Sequence, residues 1–337
     1  MPETQYFSHR IKLSAGSSHA GQDFDGKLAY WSLGDTSKPT VLMPTCFAGK
    51  LATTTPFIYD SAACALPLSS HHILVVGQLG GGESSSPSNQ AAPFAGVDFP
   101  RVTYEDNIHL QHALCLSVGV EHLQAYIGFS MGGQQAYHMG VLYPDFVSNI
   151  VLLATSARTS AHNWNFLEGP KAALSSAVDF ENGRYTSQPT VGLRAFGRVY
   201  STWALSQAWY RKQCWKAVGC DTLEQYLQNN WDKRTNDAND LLSMLWTWQN
   251  GDISSCFPED KGDLATTLGR IKANCLIMPC RTDMYFPPED SEEEVKHVKN
   301  GKLAVIESIW GHLAGGGAGT EVDRKFINEQ VSQLVKS

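Results

Sequence analysis

Short apolar runs separated by helix-length segments recur along much of the chain. Lys27-Leu28-Ala29-Tyr30-Trp31-Ser32-Leu33 is the first stretch with strand character, closed by Gly34-Asp35. Thr40-Val41-Leu42-Met43-Pro44, His72-Ile73-Leu74-Val75-Val76-Gly77, Gln124-Ala125-Tyr126-Ile127-Gly128 and Asn149-Ile150-Val151-Leu152-Leu153-Ala154 read as buried strands. Ala273-Asn274-Cys275-Leu276-Ile277-Met278-Pro279 and Lys302-Leu303-Ala304-Val305-Ile306-Glu307-Ser308 complete the set. Between them, Tyr104 to Gly119 has helical periodicity, with Ile108, His112 and Leu116 down one face and Glu105 and Asp106 in the first turn, where the helix dipole favours carboxylates. A second helix runs to about Leu142, ahead of Pro144, and Glu289 to Asn300 reads as a charged surface helix. Continuous apolar strands alternating with helices specify an α/β fold, with a mostly parallel sheet covered on both faces.

From Arg158 to about Asp263 the pattern changes to helical segments rich in Trp, Tyr, Gln and Asn, holding Trp164, Trp203, Trp209, Trp215, Trp231, Trp246 and Trp248. The predicted organisation is a core at residues 1–157 and 266–337, with a helical cap inserted at 158–265. Most of the aromatics are expected to pack the cap, and one or two to line a substrate entrance. Leu79-Gly80-Gly81-Gly82-Glu83-Ser84-Ser85-Ser86-Pro87 has the composition of a linker but lies too close to buried strands, and reads as a loop at one edge of the sheet. No Gly-Lys-Ser/Thr ending follows it, so a phosphate cradle is not supported.

Of the 337 residues, 42% are hydrophobic and 18% charged, which is enough to bury a large core. A formal charge of -7 with no basic run disfavours nucleic acid and anionic membranes as partners. No apolar stretch reaches the roughly 20 residues of a spanning helix. Met1-Pro2-Glu3-Thr4-Gln5 lacks the features of a secretory signal, and the 8 cysteines form no C-x-x-C pair. A reduced, cytoplasmic protein is expected.

The candidate chemistry centres on Gly128-Phe129-Ser130-Met131-Gly132, a G-x-S-x-G pattern with a strand before it and a helix after it. A serine on so tight a turn needs small neighbours, and the turn exposes its hydroxyl beside free amides at a helix start. A serine nucleophile needs a base, and the base needs a group to orient it. Asp283, just past a strand, and His312, just past the last one, follow Ser130 in the order Ser, Asp, His. Glu289 and Asp290 compete with Asp283 but fall in the following helix. For the oxyanion donors, the amide of Met131 and that of Phe47, in the loop after an earlier strand, are the choices. Cys46, on the same loop, has no dedicated base nearby.

These residues resemble the homoserine O-acetyltransferase family of α/β-hydrolases. The likeness is densest in Phe99-Pro100-Arg101-Val102-Thr103-Tyr104-Glu105-Asp106, the serine motif through Ala136, Ala154-Thr155-Ser156-Ala157-Arg158-Thr159-Ser160-Ala161, Gly192-Leu193-Arg194 and Thr282-Asp283-Met284-Tyr285-Phe286-Pro287-Pro288. It implies the α/β-hydrolase fold, a Ser/Asp/His triad, a helical cap, an acyl-serine intermediate and dimerisation through cap helices. No metal or organic cofactor is implied, an acyl-CoA being a co-substrate. The departures bear on function. The family's aspartate after the catalytic histidine is replaced by Leu313, and the oxyanion loop reads Thr45-Cys46-Phe47-Ala48-Gly49 instead of His-Ala-Leu-Thr-Gly. The cap arginine that contacts substrate in the family falls near Arg198, with Arg194 as the alternative. Homoserine is thus not the expected acceptor, and the chain resembles divergent members of the kind found in fungal secondary metabolism. The leading expectation is a serine hydrolase acting on a small ester or thioester. An acyl-CoA-dependent acyltransferase using the same triad, and a non-catalytic binding protein on the same fold, are the alternatives.

Overall fold

The computed structural model describes residues 2–55, 64–233 and 235–336. The apolar runs assemble into an eight-stranded sheet of order β1-β2-β4-β3-β5-β6-β7-β8. The strands are β1 (Gln5–Lys12), β2 (Asp23–Leu33), β3 (Thr40–Pro44), β4 (His72–Val76), β5 (Leu123–Phe129), β6 (Val147–Leu153), β7 (Asn274–Met278) and β8 (Gly301–Leu303). Strands β1 and β2 pair antiparallel, as do β2 and β4, while every pairing from β4 to β8 is parallel.

Because strand side chains alternate, each central strand feeds two cores. Leu42, Leu74, Tyr126, Ile150 and Leu152 face the layer that holds α1 (Tyr104–Ser117) and α2 (Met131–Leu142). Val41, Met43, Ile73, Val75, Ile127 and Val151 face the opposite layer. There α10 (His312–Gly315) and α11 (Glu321–Lys336) contribute Ala314, Ile327 and Val331. Between β6 and β7 lie α3 (Ala161–Ser175), α4 (Thr190–Ala204), α5 (Gln207–Arg211), α6 (Leu223–Asn230), α7 (Ala238–Gln249) and α8 (Leu264–Leu268). No strand interrupts them among the described residues. Their aromatic residues form a third core with Phe47, Met131, Tyr285 and Phe286 of the sheet's loops. Helix α9 (Pro288–Glu294) follows β7.

Four elements differ from the sequence reading. Strand β1 carries no apolar alternation and is mostly exposed, being an edge strand tied to β2 by Arg10–Asp25 and Lys12–Asp23 ion pairs. On α1 the buried face is Tyr104, Asn107, Ile108, Gln111, Leu114 and Cys115, and Leu116 is 50% exposed. Hydropathy misassigned that face because the structure buries two amides there. The Asn107 side chain accepts the Leu79 amide at 2.8 Å, and that of Gln111 accepts the Tyr126 hydroxyl at 2.6 Å. The surface helix is shorter than the charge pattern predicts, giving way to a 3₁₀ turn over Val295–His297. The last strand has three residues, beyond which Ile306 makes one isolated bridge to Cys280.

The glycine/serine loop after β4 is a packed element of the core. Ser84 accepts the Ala29 amide and donates to the Gly77 carbonyl, and Ser88 donates to Asp240 of α7.

Candidate active site

Strand β5 ends at Phe129, helix α2 begins at Met131, and Ser130 joins them with φ 57° and ψ -125°. This is a left-handed conformation that L residues adopt at a cost, as at strained functional turns. The turn closes so tightly that a Cβ on Gly128 would lie 2.0 Å from the Gly132 carbonyl oxygen. The first glycine of the motif is therefore obligatory. The Ser130 amide donates to Leu153 of β6 at 2.9 Å and its carbonyl accepts the Thr155 hydroxyl at 2.8 Å, so the turn is pinned from the neighbouring strand.

Asp283 leaves the end of β7 and is buried. Its Oδ1 accepts the amides of Tyr285 and Phe286 at 2.8 and 3.1 Å, and its Oδ2 accepts His312 Nδ1 at 2.8 Å. One oxygen is thus fixed by backbone while the other holds the imidazole. His312 stands at the start of α10 behind Gly311 (φ 56°), where a Cβ would lie 2.8 Å from the Ala204 carbonyl oxygen. The His312 ring packs against Phe129 at 4.7 Å, Tyr285 at 4.7 Å and Phe286 at 5.6 Å. A proton on Nδ1 for Asp283 leaves Nε2 as the acceptor. Glu289 and Asp290 lie in the first turn of α9, and the histidine's carboxylate partner is Asp283. The structure thus joins His312 to Asp283. Among the described residues it shows no hydrogen bond between His312 and the Ser130 hydroxyl, the His312 ring packing instead on Phe129 next to that serine.

Phe47 sits after β3. Among the described residues neither its amide nor that of Met131 has an acceptor. Its ring stacks on Tyr200 at 5.2 Å and lies 5.7 Å from Trp248, beneath the aromatic layer of α3, α4 and α7. Cys46 is no rival nucleophile, because burial pushes its thiol up to about 11. Arg198 is already engaged. Its guanidinium meets Asp232 at 2.8 Å and Glu224 at 2.6 Å, which raises its pKa further. Arg194 shares Asp232 at 3.3 Å.

Sequence reading missed three residues behind the site. Gln78 and Gln135 hold the loop after β3, and Glu294 ties α9 to α2. Gln78 and Glu294 are single polar residues outside any motif, and Gln135, although just past the serine motif, has no spacing that marks it. Among the described residues no group of three or more His, Cys, Asp or Glu side chains is placed to hold a metal ion, and no helix is long and apolar enough to cross a membrane.

A family model of the alpha/beta hydrolase fold matches residues 39–315. The chain belongs to the alpha/beta hydrolase family. This hydrolase is 36% identical to the ethyl acetate hydrolase of Pseudomonas veronii over 279 residues, 81% of this chain and 78% of that one. The solved structure of the acetyl esterase MekB superposes with a TM-score of 0.93 at 30% identity, over 99% of this chain and 97% of that one. The homoserine O-acetyltransferase of Trichormus variabilis is 28% identical over 228 residues, 65% of this chain and 62% of that one. The likeness to the transferases is therefore real but weaker than that to these two esterases.

Proposed function

We propose that this enzyme is a serine hydrolase of small, uncharged carboxylic esters. Ser130 Oγ attacks the ester carbonyl while His312 Nε2 takes its proton, with Asp283 holding the resulting imidazolium. The amides of Phe47 and Met131 stabilise the tetrahedral oxyanion. Collapse expels the alcohol, which leaves with the proton from His312. Water, deprotonated by the same imidazole, then cleaves the acyl-serine to the carboxylic acid and free Ser130.

The observation that carries this reading is the buried His312–Asp283 hydrogen bond at 2.8 Å, its imidazole packed on Phe129 beside a serine held at φ 57°. The ester class is supported by the aromatic roof and by the relatives, one an ethyl acetate hydrolase and another an acetyl esterase. The helical segment 158–265 is assigned the role of a cap over the site. Arg198 is assigned to the internal bracing of that cap, since two carboxylates already occupy its guanidinium. A transferase reading is kept in view by the homoserine O-acetyltransferase relative and by the low exposure of Ser130, 2%, which limits water.

One experiment separates the readings. Wild type and Ser130→Ala are incubated with p-nitrophenyl acetate, and then with acetyl-CoA plus candidate alcohols, with free acid and transferred ester quantified apart. Hydrolysis by wild type and a loss of several orders of magnitude in the variant are expected. Dominant transfer overturns the hydrolase assignment, and undiminished turnover by Ser130→Ala overturns the nucleophile.

A further inference from the structure

An oxyanion donor works only if it points at the developing charge. The Phe47 N–H belongs to the Cys46–Phe47 peptide, and a trans peptide is planar with its C=O and N–H antiparallel. Whatever holds the Cys46 carbonyl therefore aims the Phe47 amide in the opposite direction.

Two donors hold that carbonyl. The Gly49 amide does so at 3.0 Å, closing the turn in which Ala48 has φ 55°. That bond lies within the loop and moves with it. The other donor is Gln78 Nε2, also at 3.0 Å, reaching from just past the end of β4. Gln78 thus references the peptide to the sheet. One residue earlier, Gln135 Nε2 of α2 donates to the Thr45 carbonyl at 3.1 Å, itself steadied by Gln111 at 2.7 Å.

Gln78 is unusual in what it leaves unmade. It is 1% exposed, yet among the described residues its Oε1 has no hydrogen-bond partner. Its amide orientation is fixed all the same, because a flip would set oxygen against the Cys46 carbonyl. A buried acceptor without a donor costs stability, so a residue kept only for stability would be apolar here.

We propose that Gln78 is a positioning residue that aims the Phe47 amide into the oxyanion hole through the Cys46 carbonyl, a role that rests on the serine-hydrolase reading above.

The test is Gln78→Met, which keeps the side chain's length, removes the grip on Cys46 and removes the orphan oxygen. Active sites are counted with a fluorophosphonate, and turnover is measured with p-nitrophenyl acetate. Inhibition is measured with a trifluoromethyl ketone, whose carbonyl adds Ser130 Oγ to give a hemiketal oxyanion as the serine proton passes to His312. The kcat is expected to fall roughly 10- to 100-fold with KM held within about twofold. The inhibition constant should rise by the same factor, and Tm should stay level or rise. Unchanged kcat and inhibition overturn the proposal. So does a lower Tm with a lost kcat but unaltered inhibition, the mark of a merely structural residue. If Gln78→Met is insoluble, Gln78→Asn, one methylene too short to reach Cys46, carries the same expectations for kcat, KM and inhibition, and unaltered inhibition again overturns the proposal. Its Tm should fall, because an unpaired amide stays buried. A wild type that neither turns over the ester nor labels at Ser130 sinks the serine-hydrolase assignment instead.

Discussion

Replacing Glu294 by Gln is the perturbation whose size and sign follow most directly from the structure. The side chain is buried at the end of α9, with Oε1 accepting the Ala157 amide at 2.7 Å and Oε2 facing the Tyr137 hydroxyl at 2.8 Å. Burial, the largest influence, pushes its pKa from 4.5 to about 8. The folded protein therefore keeps the proton through neutral pH, whereas the unfolded chain gives it up near the ordinary value. A raised folded-state pKa contributes stability that is complete below the unfolded value of 4.5 and is lost as pH climbs through about 8. At about 1.4 kcal/mol per pH unit, the loss accumulated by pH 7 is about 3 kcal/mol.

Glu294→Gln copies the protonated form, its oxygen accepting from Ala157 and its NH₂ donating to the Tyr137 oxygen, and it does not titrate. Urea unfolding should find the two proteins within about 1 kcal/mol of each other at pH 5. At pH 7 the variant should be the more stable by about 3 kcal/mol, with unchanged m values. A stability gap that is the same at both pH values refutes the reasoning, since only a proton taken up on folding makes the gap grow with pH.

Two further outcomes test the site. Asp283→Asn keeps the side chain's shape but cannot hold His312 in the required tautomer, so kcat for p-nitrophenyl acetate should fall roughly 10⁴-fold. A fall of less than tenfold would remove Asp283 from the machinery. Arg198→Met should leave kcat/KM within about twofold, because the guanidinium serves Asp232 and Glu224 inside the helical segment. Its effect belongs in Tm, and a KM raised by more than tenfold would restore the arginine to substrate binding.

What the chain reveals of itself divides along a physical line. Buried parallel strands are continuous apolar runs, so β3, β4, β5, β6 and β7 stand out in the sequence. The serine turn also stands out, because steric exclusion at Gly128 forces a residue type and not merely a polarity. Edge strand β1 does not, since an edge kept soluble by Arg10, Lys12 and their partners looks like any charged surface. The least legible layer is polar and internal. Gln78, Gln111, Gln135 and Glu294 are buried where their side chains meet groups distant in the chain, and a single sequence does not say which distant groups will meet. On α1 the enclosed side holds Asn107 and Gln111 beside Ile108, while Leu116, read on the same face as Ile108, is half exposed. Those hidden amides bear on function for the same reason that they escape notice. A hydrogen bond fixes direction where apolar packing fixes only proximity, and stabilising an oxyanion depends on direction. Under the proposed assignment the motif residues supply the chemistry, whereas the loop that carries Phe47 is held by buried glutamines.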